Sequence, residues 1–173
     1  MSQLTAPSPR RRLARAAAIV ASATVVLTAC AFAGGGFTWN LSPSLPQGLY
    51  RLAPASAPTR GSTLLFPPPP LAAAVIASRR YLPPGTKLQK TVAALPGDRV
   101  DIDANSYRVN GREIGAVASL DSAGRPLQPF LFSATVSAGY AFVATGAPLS
   151  FDSRYWGPIP LSSVTVVVPV WTY

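Results

Sequence analysis

Proline and glycine punctuation is the feature that most constrains the fold of this chain. Nineteen prolines and 13 glycines occur in 173 residues. From Leu49 onward they leave short runs rich in Val, Leu, Tyr and Phe. Such runs, mostly about four to eight residues between turn formers, suit strands and are too short for most helices. The expected strands are Leu49–Leu52, Ser62–Phe66, Thr91–Ala94, Arg99–Ile102, Ser106–Val109, Arg112–Ile114, Tyr140–Ala144 and Val164–Tyr173. Asn110-Gly111 predicts a two-residue type I′ hairpin, because both central positions of that turn need φ > 0. One helix is expected, Leu71 to Tyr81. Pro67–Pro70 lead into it, and proline is tolerated in a first turn. Ala72-Ala73-Ala74 favours it and Pro83-Pro84-Gly85 stops it. Ala53–Arg60 reads as a loop and Gly115–Thr135 as an irregular insertion. The fold class is therefore mainly β with one short helix.

The inventory of reactive side chains narrows the chemistry. The chain has no histidine, which excludes a Ser-His-Asp triad and a His-ligated metal. Its one cysteine, Cys30, lies in an apolar segment, so neither a disulfide framework nor a thiolate cluster is expected. No metal and no cofactor is expected. The only lysines are Lys87 and Lys90, and the six acids are Asp98, Asp101, Asp103, Glu113, Asp121 and Asp152. Catalysis would have to use Ser, Thr, Lys, Tyr or those carboxylates. The net charge is +9, but Arg10, Arg11, Arg12 and Arg15 account for much of it. The remaining basic residues are scattered, with no basic stripe interleaved with aromatics, so nucleic acid is not an expected partner.

Residues 16–36 form the other distinctive stretch. Ala16 to Ala33 is uncharged and mostly apolar, follows the arginines and precedes Gly34-Gly35-Gly36. Its length approaches the roughly 20 residues that cross a bilayer as a helix. Basic residues on the N-terminal side favour an N-inside orientation. The expected organisation is a basic cytoplasmic N-terminus (1–15), a transmembrane anchor or signal segment (16–36) and an exported domain (37–173). The same pattern fits a cleaved signal peptide. Leu27-Thr28-Ala29-Cys30 also resembles a lipoprotein box that would leave Cys30 lipidated, although Cys30 equally suits an apolar helix. The uncleaved anchor is the expected form, and all three place the remainder beyond the membrane.

Three stretches carry candidate chemistry. The first, "TWNLSPSLPQGLYRL" (Thr38–Leu52), is by composition an ordinary Ser/Pro/Gly loop. The second, "KLQKTVAALPGDRVDI" (Lys87–Ile102), sets Lys90 before an apolar run. A lysine desolvated beside apolar groups has a lowered pKa and can act as a base towards a serine. Pro96-Gly97-Asp98 makes a tight turn into the next strand. In the third, "SFDSRYWGPIP" (Ser150–Pro160), Asp152 and Arg154 could pair over aromatics. A solvent-screened surface pair worth about 0–1 kcal/mol is the alternative.

In this order, behind an apolar segment, the three stretches resemble the type I signal peptidases, and in particular their conjugal-transfer, TraF-like branch. The branch pattern N-x-[ST]-x-S-x-P-x-G-x-Y is matched by Asn40, Ser42, Ser44, Pro46, Gly48 and Tyr50. Lys-x-x-x-x-Leu-Pro-Gly-Asp is matched by Lys90, Leu95, Pro96, Gly97 and Asp98, and the Ser-x-Asp-Ser-Arg-Tyr-aromatic-Gly box by Ser150 to Gly157. Two departures set the chain apart from general leader peptidases: Pro43 stands where they carry glycine, and their long element before the Asp-Ser-Arg box is reduced to Gly146–Leu149. The chain is also short for the second β-domain that some of them carry.

The resemblance implies a signal-peptidase-like β-domain and a membrane-anchored serine endopeptidase with a Ser-Lys dyad. Ser44 would be the nucleophile and Lys90 its general base. The Ser42 hydroxyl and the Ser44 N–H would form the oxyanion hole, Ser150 would orient Lys90, and Asp152 and Arg154 would support that box. It further implies a bacterial inner-membrane location with the domain in the periplasm. The implied substrate is a pilin-like precursor of a conjugative or type IV secretion system, cut or cyclised, with the transfer machinery as a partner. Two alternatives stand beside this reading. One is a general signal peptidase that removes leader peptides; the other is a catalytically silent, membrane-tethered scaffold.

Overall fold

The computed structural model describes residues 18–22 and 36–173. The chain divides into two compact units, Met1–Gly36 and Phe37–Tyr173. In the first, residues 18–22 are helical and exposed, and the Ser22 hydroxyl donates to the Ala18 carbonyl. Most of the expected Ala16–Ala33 anchor, the arginine cluster and Cys30 lie outside the described residues. Among the described residues no helix is long and apolar enough to cross a membrane.

The second unit is mainly β, built from two antiparallel sheets with few helices. Its elements run β1 (Phe37–Asn40), β2 (Gly48–Ala53), β3 (Thr63–Phe66), α1 (Pro70–Arg79), β4 (Leu88–Ala94), β5 (Arg99–Ile102), β6 (Ser106–Val109), β7 (Arg112–Ala116), β8 (Phe132–Thr135), β9 (Tyr140–Ala144), α2 (Ser153–Trp156), β10 (Ile159–Pro160) and β11 (Thr165–Thr172). A seven-stranded sheet has the order β1-β2-β11-β3-β4-β9-β10, and a four-stranded sheet the order β7-β6-β5-β8. The main core holds Leu64, Phe66, Val92, Val100, Tyr107, Phe142, Trp156 and Ile159, and a smaller cluster joins Tyr50, Leu65 and Val167.

Local signals account for most of this. The Asn110-Gly111 hairpin forms with φ of 52° and 79°, as that turn requires. The Asn110 side chain binds both the Arg99 N–H and the Asp98 carboxylate. Helix α1 runs from Pro70 to Arg79, two residues short of the expected limit, and its C-cap Arg80 lies in the left-handed region. Gly48 has φ of 143°, and a Cβ there would meet the Trp171 carbonyl oxygen at 2.1 Å. Only glycine lets β11 cross β2 so closely.

The structure departs from the sequence reading at β1, β8, β10, α2 and the start of β4. Strands β1, β8 and β10 are additional, and so is α2, a second helix where one was expected. Strand β8 exists because it fills the free edge of β5, from Arg99↔Thr135 to Ile102↔Phe132. Helix α2 is a single turn capped by the Asp152 side chain, which accepts the Arg154 N–H. Strand β4 starts at Leu88 rather than Thr91, because Phe66, Leu65 and Leu64 of β3 pair with Leu88, Gln89 and Lys90. Lys90 therefore lies inside a strand, on the face shared with Leu88 and Val92, while Lys87 is exposed in the turn before it.

Candidate active site

The segment 41–47 joins β1 to β2, whose last pair is Asn40↔Gly48. Its shape depends on Asn40, which is 5 % exposed. The Asn40 Oδ1 accepts the Ser42 N–H at 3.1 Å, an Asx turn. Its Nδ2 donates to the carbonyls of Ser42, Leu45 and Pro46 at 3.1, 3.2 and 3.0 Å. The buried Tyr50 hydroxyl also donates to the Pro46 carbonyl, at 2.8 Å, and the Gln47 amide donates to that of Leu41. The result presents Ser42 and Ser44 side by side, with their Oγ atoms 2.9 Å apart. The Ser44 N–H lies 3.4 Å from the Ser42 Oγ.

Strand β4 brings Lys90 to the same point. Its Nζ is 3.0 Å from the Ser44 Oγ and 2.8 Å from the Ser150 Oγ. Lys90 is 6 % exposed and Ser150 4 %. Burial lowers the Lys90 pKa to about 8; the negative charge of Asp152 opposes this shift and the positive charge of Arg154 adds to it. The ammonium is thus destabilised by its apolar surroundings. A substantial fraction of Lys90 is neutral at mildly alkaline pH and able to accept a proton.

That same burial costs stability. The folded value lies below the unfolded one, so the penalty is present in full below about pH 8 and fades as pH rises towards about 10.4. A gap of this size corresponds to about 3 kcal/mol. Lys90→Met keeps the volume and removes the charge. It is expected to raise the thermal midpoint by several degrees at pH 7, with the gain shrinking towards pH 10. Calorimetry at the two pH values checks this, and an unchanged midpoint at pH 7 would contradict the penalty.

The third stretch is buried rather than a screened surface loop. Asp152 and Arg154 are 0 % and 2 % exposed and meet through two parallel bonds, Nε–Oδ1 and Nη2–Oδ2, each 2.8 Å. The guanidinium also donates to the carbonyls of Ala116, Ala147 and Ser150 at 2.7, 3.2 and 3.1 Å. Arg154 thus ties the 147–150 segment, which carries Ser150, to the end of β7. Ser153 anchors α2 to β9 by accepting the Val143 N–H at 2.9 Å. Within the "LPGD" turn, Asp98 accepts the Leu95 N–H at 2.8 Å and pairs with Arg60.

Ser42, Ser44, Lys90 and Ser150 are therefore brought into one hydrogen-bonded set, with Asp152 and Arg154 behind it. The sequence reading quoted Asn40 and Tyr50 only as matched positions and assigned them no part. The local signal for Asn40 was an Asn two residues before a Ser-Pro step, which favours an Asx turn. A cleft of about 500 Å³ opens at Ser44, lined by Pro43, Leu45, Pro46, Gln47, Gly146, Ala147 and Tyr173. Among the described residues no group of three or more His, Cys, Asp or Glu side chains is placed to hold a metal. The arrangement is suited to activating a serine hydroxyl beside an open cleft.

The family model described as "Signal peptidase, peptidase S26" matches residues 10–171. The conjugal transfer protein TraF of Agrobacterium fabrum is 35% identical over 150 residues, covering 80% of this chain and 84% of that protein. The plasmid transfer protein TraF of Escherichia coli is 33% identical over 175 residues, 94% of this chain and 98% of its own length. Among solved structures, a signal peptidase I from Enterococcus faecalis is similar with a TM-score of 0.40 and 26% identity, covering 66% of this chain and 98% of that one.

Proposed function

The chain belongs to the signal peptidase S26 family, and from that premise we propose that it is a serine endopeptidase with a Ser-Lys dyad that processes a pilin-like precursor of a conjugative system. The observation that carries the dyad is the buried Lys90 Nζ, 3.0 Å from Ser44 Oγ and 2.8 Å from Ser150 Oγ, with its pKa lowered to about 8. Neutral Lys90 takes the Ser44 hydroxyl proton as Oγ attacks the scissile carbonyl. The developing oxyanion is received by the Ser44 N–H and the Ser42 hydroxyl. Lys90 then delivers its proton to the leaving amine, and the C–N bond breaks to give an acyl-enzyme. Water, or the amine of the substrate's own N-terminus, next loses a proton to Lys90 and attacks the acyl carbon; the ester bond breaks and Lys90 returns that proton to the departing Ser44 Oγ. The first route yields a cut chain and the second a cyclic one. Ser150 holds Lys90 in line, and Asp152 with Arg154 holds the segment carrying Ser150.

The conjugal and plasmid transfer names of the relatives support the substrate class and the transfer machinery as partner. The placement we propose is at the bacterial inner membrane, with the domain on the periplasmic side. Two features support it. One is the apolar Ala16–Ala33 segment behind the arginines. The other is an exposed aromatic face of Trp39, Trp171 and Tyr173, with ring centroids 6.0 and 5.2 Å apart, at the edge of the Ser44 cleft. Trp and Tyr favour the membrane–water interface.

Co-expression with candidate pilin precursors, followed by intact-mass analysis, tests the function. A shortened precursor indicates cleavage, and a product lighter by one further water indicates cyclisation. Both should disappear with Ser44→Ala. Precursors left untouched by the wild type, with leader peptides of many other exported proteins removed instead, would replace the pilin reading by a general signal peptidase.

A further inference from the structure

We propose that Asn40 is a positioning residue for acyl transfer at Ser44, acting through the backbone of the segment it fills; this rests on the reading of Ser44 as nucleophile. Asn40 is buried and touches no reacting atom, yet its amide contacts four backbone groups of residues 42–46. Its two N–H groups are shared among three carbonyls, while its oxygen takes the Ser42 N–H. Ser42 is thus held at both its N–H and its C=O. Pro43 and Pro46 have no N–H, so the segment has little capacity to hold itself by backbone ladder bonds. Side chains do that instead: Asn40 takes four backbone groups, while Tyr50 and Gln47 take one carbonyl each.

What the segment presents is sensitive to small shifts. Ser44 Oγ sits between Ser42 Oγ at 2.9 Å and Lys90 Nζ at 3.0 Å. Lys90 is fixed independently, by β4 and Ser150. A displacement of the 42–46 backbone would therefore move the nucleophile and the Ser42 hydroxyl against a stationary base. A misplacement of about 1 Å costs about 10² in rate. Tyr50 shares only the Pro46 carbonyl with Asn40 and cannot replace its contacts to Ser42 and Leu45.

Pre-steady-state acylation of the full chain with p-nitrophenyl acetate tests the proposal. Burst amplitude reports the fraction of competent molecules, and burst rate the chemistry of each. For Asn40→Ala the expected result is a near-normal amplitude, a burst rate lower by about 10², and an unmoved pH midpoint, because Lys90 and Ser150 are untouched. Asn40→Asp keeps the shape and the Ser42 acceptor but loses the donors. It should show the same slowing even if Asn40→Ala fails to fold. A normal rate with reduced amplitude would mean that Asn40 serves folding alone, and unchanged rate and amplitude would remove any role; either overturns the proposal. A wild type that gives no burst, with Ser44 unmodified by mass analysis, would instead overturn the nucleophile reading and this inference with it.

Discussion

Lys90→Ala and Lys90→Arg are each expected to abolish precursor processing, as is Ser44→Ala, while Lys87→Ala leaves it within about twofold. The chain has two lysines and no histidine, so the base for Ser44 must come from a narrow set. Lys87 is exposed in the turn before β4. Lys90, three residues on, points into the core and reaches Ser44 Oγ. Arginine keeps the positive charge but stays protonated and cannot take the hydroxyl proton. The rate should rise with pH through an apparent pKa near 8, since the proposed base acts in its neutral form. Cleavage assays on the four variants, with a pH–rate profile of the wild type, measure this. An active Lys90→Arg enzyme, or a rate that falls as pH rises from 7 to 9, would remove the Ser-Lys mechanism.

Arg154→Ala should destabilise the domain by about 3–5 kcal/mol, the usual cost of removing one partner of a buried ion pair. Asp152 would be left without its ion-pair partner at 0 % exposure, and the carbonyls of Ala116, Ala147 and Ser150 would lose their donor. Arg154→Lys should recover little, because an ammonium cannot reproduce the two parallel bonds to Asp152 and also reach those carbonyls. Processing should fall as well, since Ser150 sits on the segment that Arg154 holds. Denaturant unfolding gives the stability change. A loss below about 1 kcal/mol would class the pair with screened surface pairs.

What could be read from the sequence was whatever neighbours along the chain decide. Proline and glycine delimit the strands locally, and Asn110-Gly111 specifies its turn because only certain residues tolerate φ > 0. Residue identities alone excluded histidine chemistry, and the resemblance to the signal peptidases pointed to Ser44, Lys90 and Ser150. Strands β1, β8 and β10 were not legible, because they lie in stretches whose composition reads as loop or irregular chain and become strands only against a partner edge. The start of β4 was missed for the same reason, and with it the strand position of Lys90.

The chemistry of the site is tertiary. Ser44 is 46 residues from Lys90 and Ser150 is 60 residues from it, so their 3.0 and 2.8 Å contacts depend on the sheet closing around them. The sequence left the Asp152–Arg154 pair open between a surface loop and a buried support. Its burial, and the carbonyls gathered by Arg154, come from β7 and the 147–150 segment packing over it. The lowered pKa of Lys90 follows from the same packing. Desolvation is a property of everything around a charge, and most of what surrounds Lys90 lies far from it along the chain.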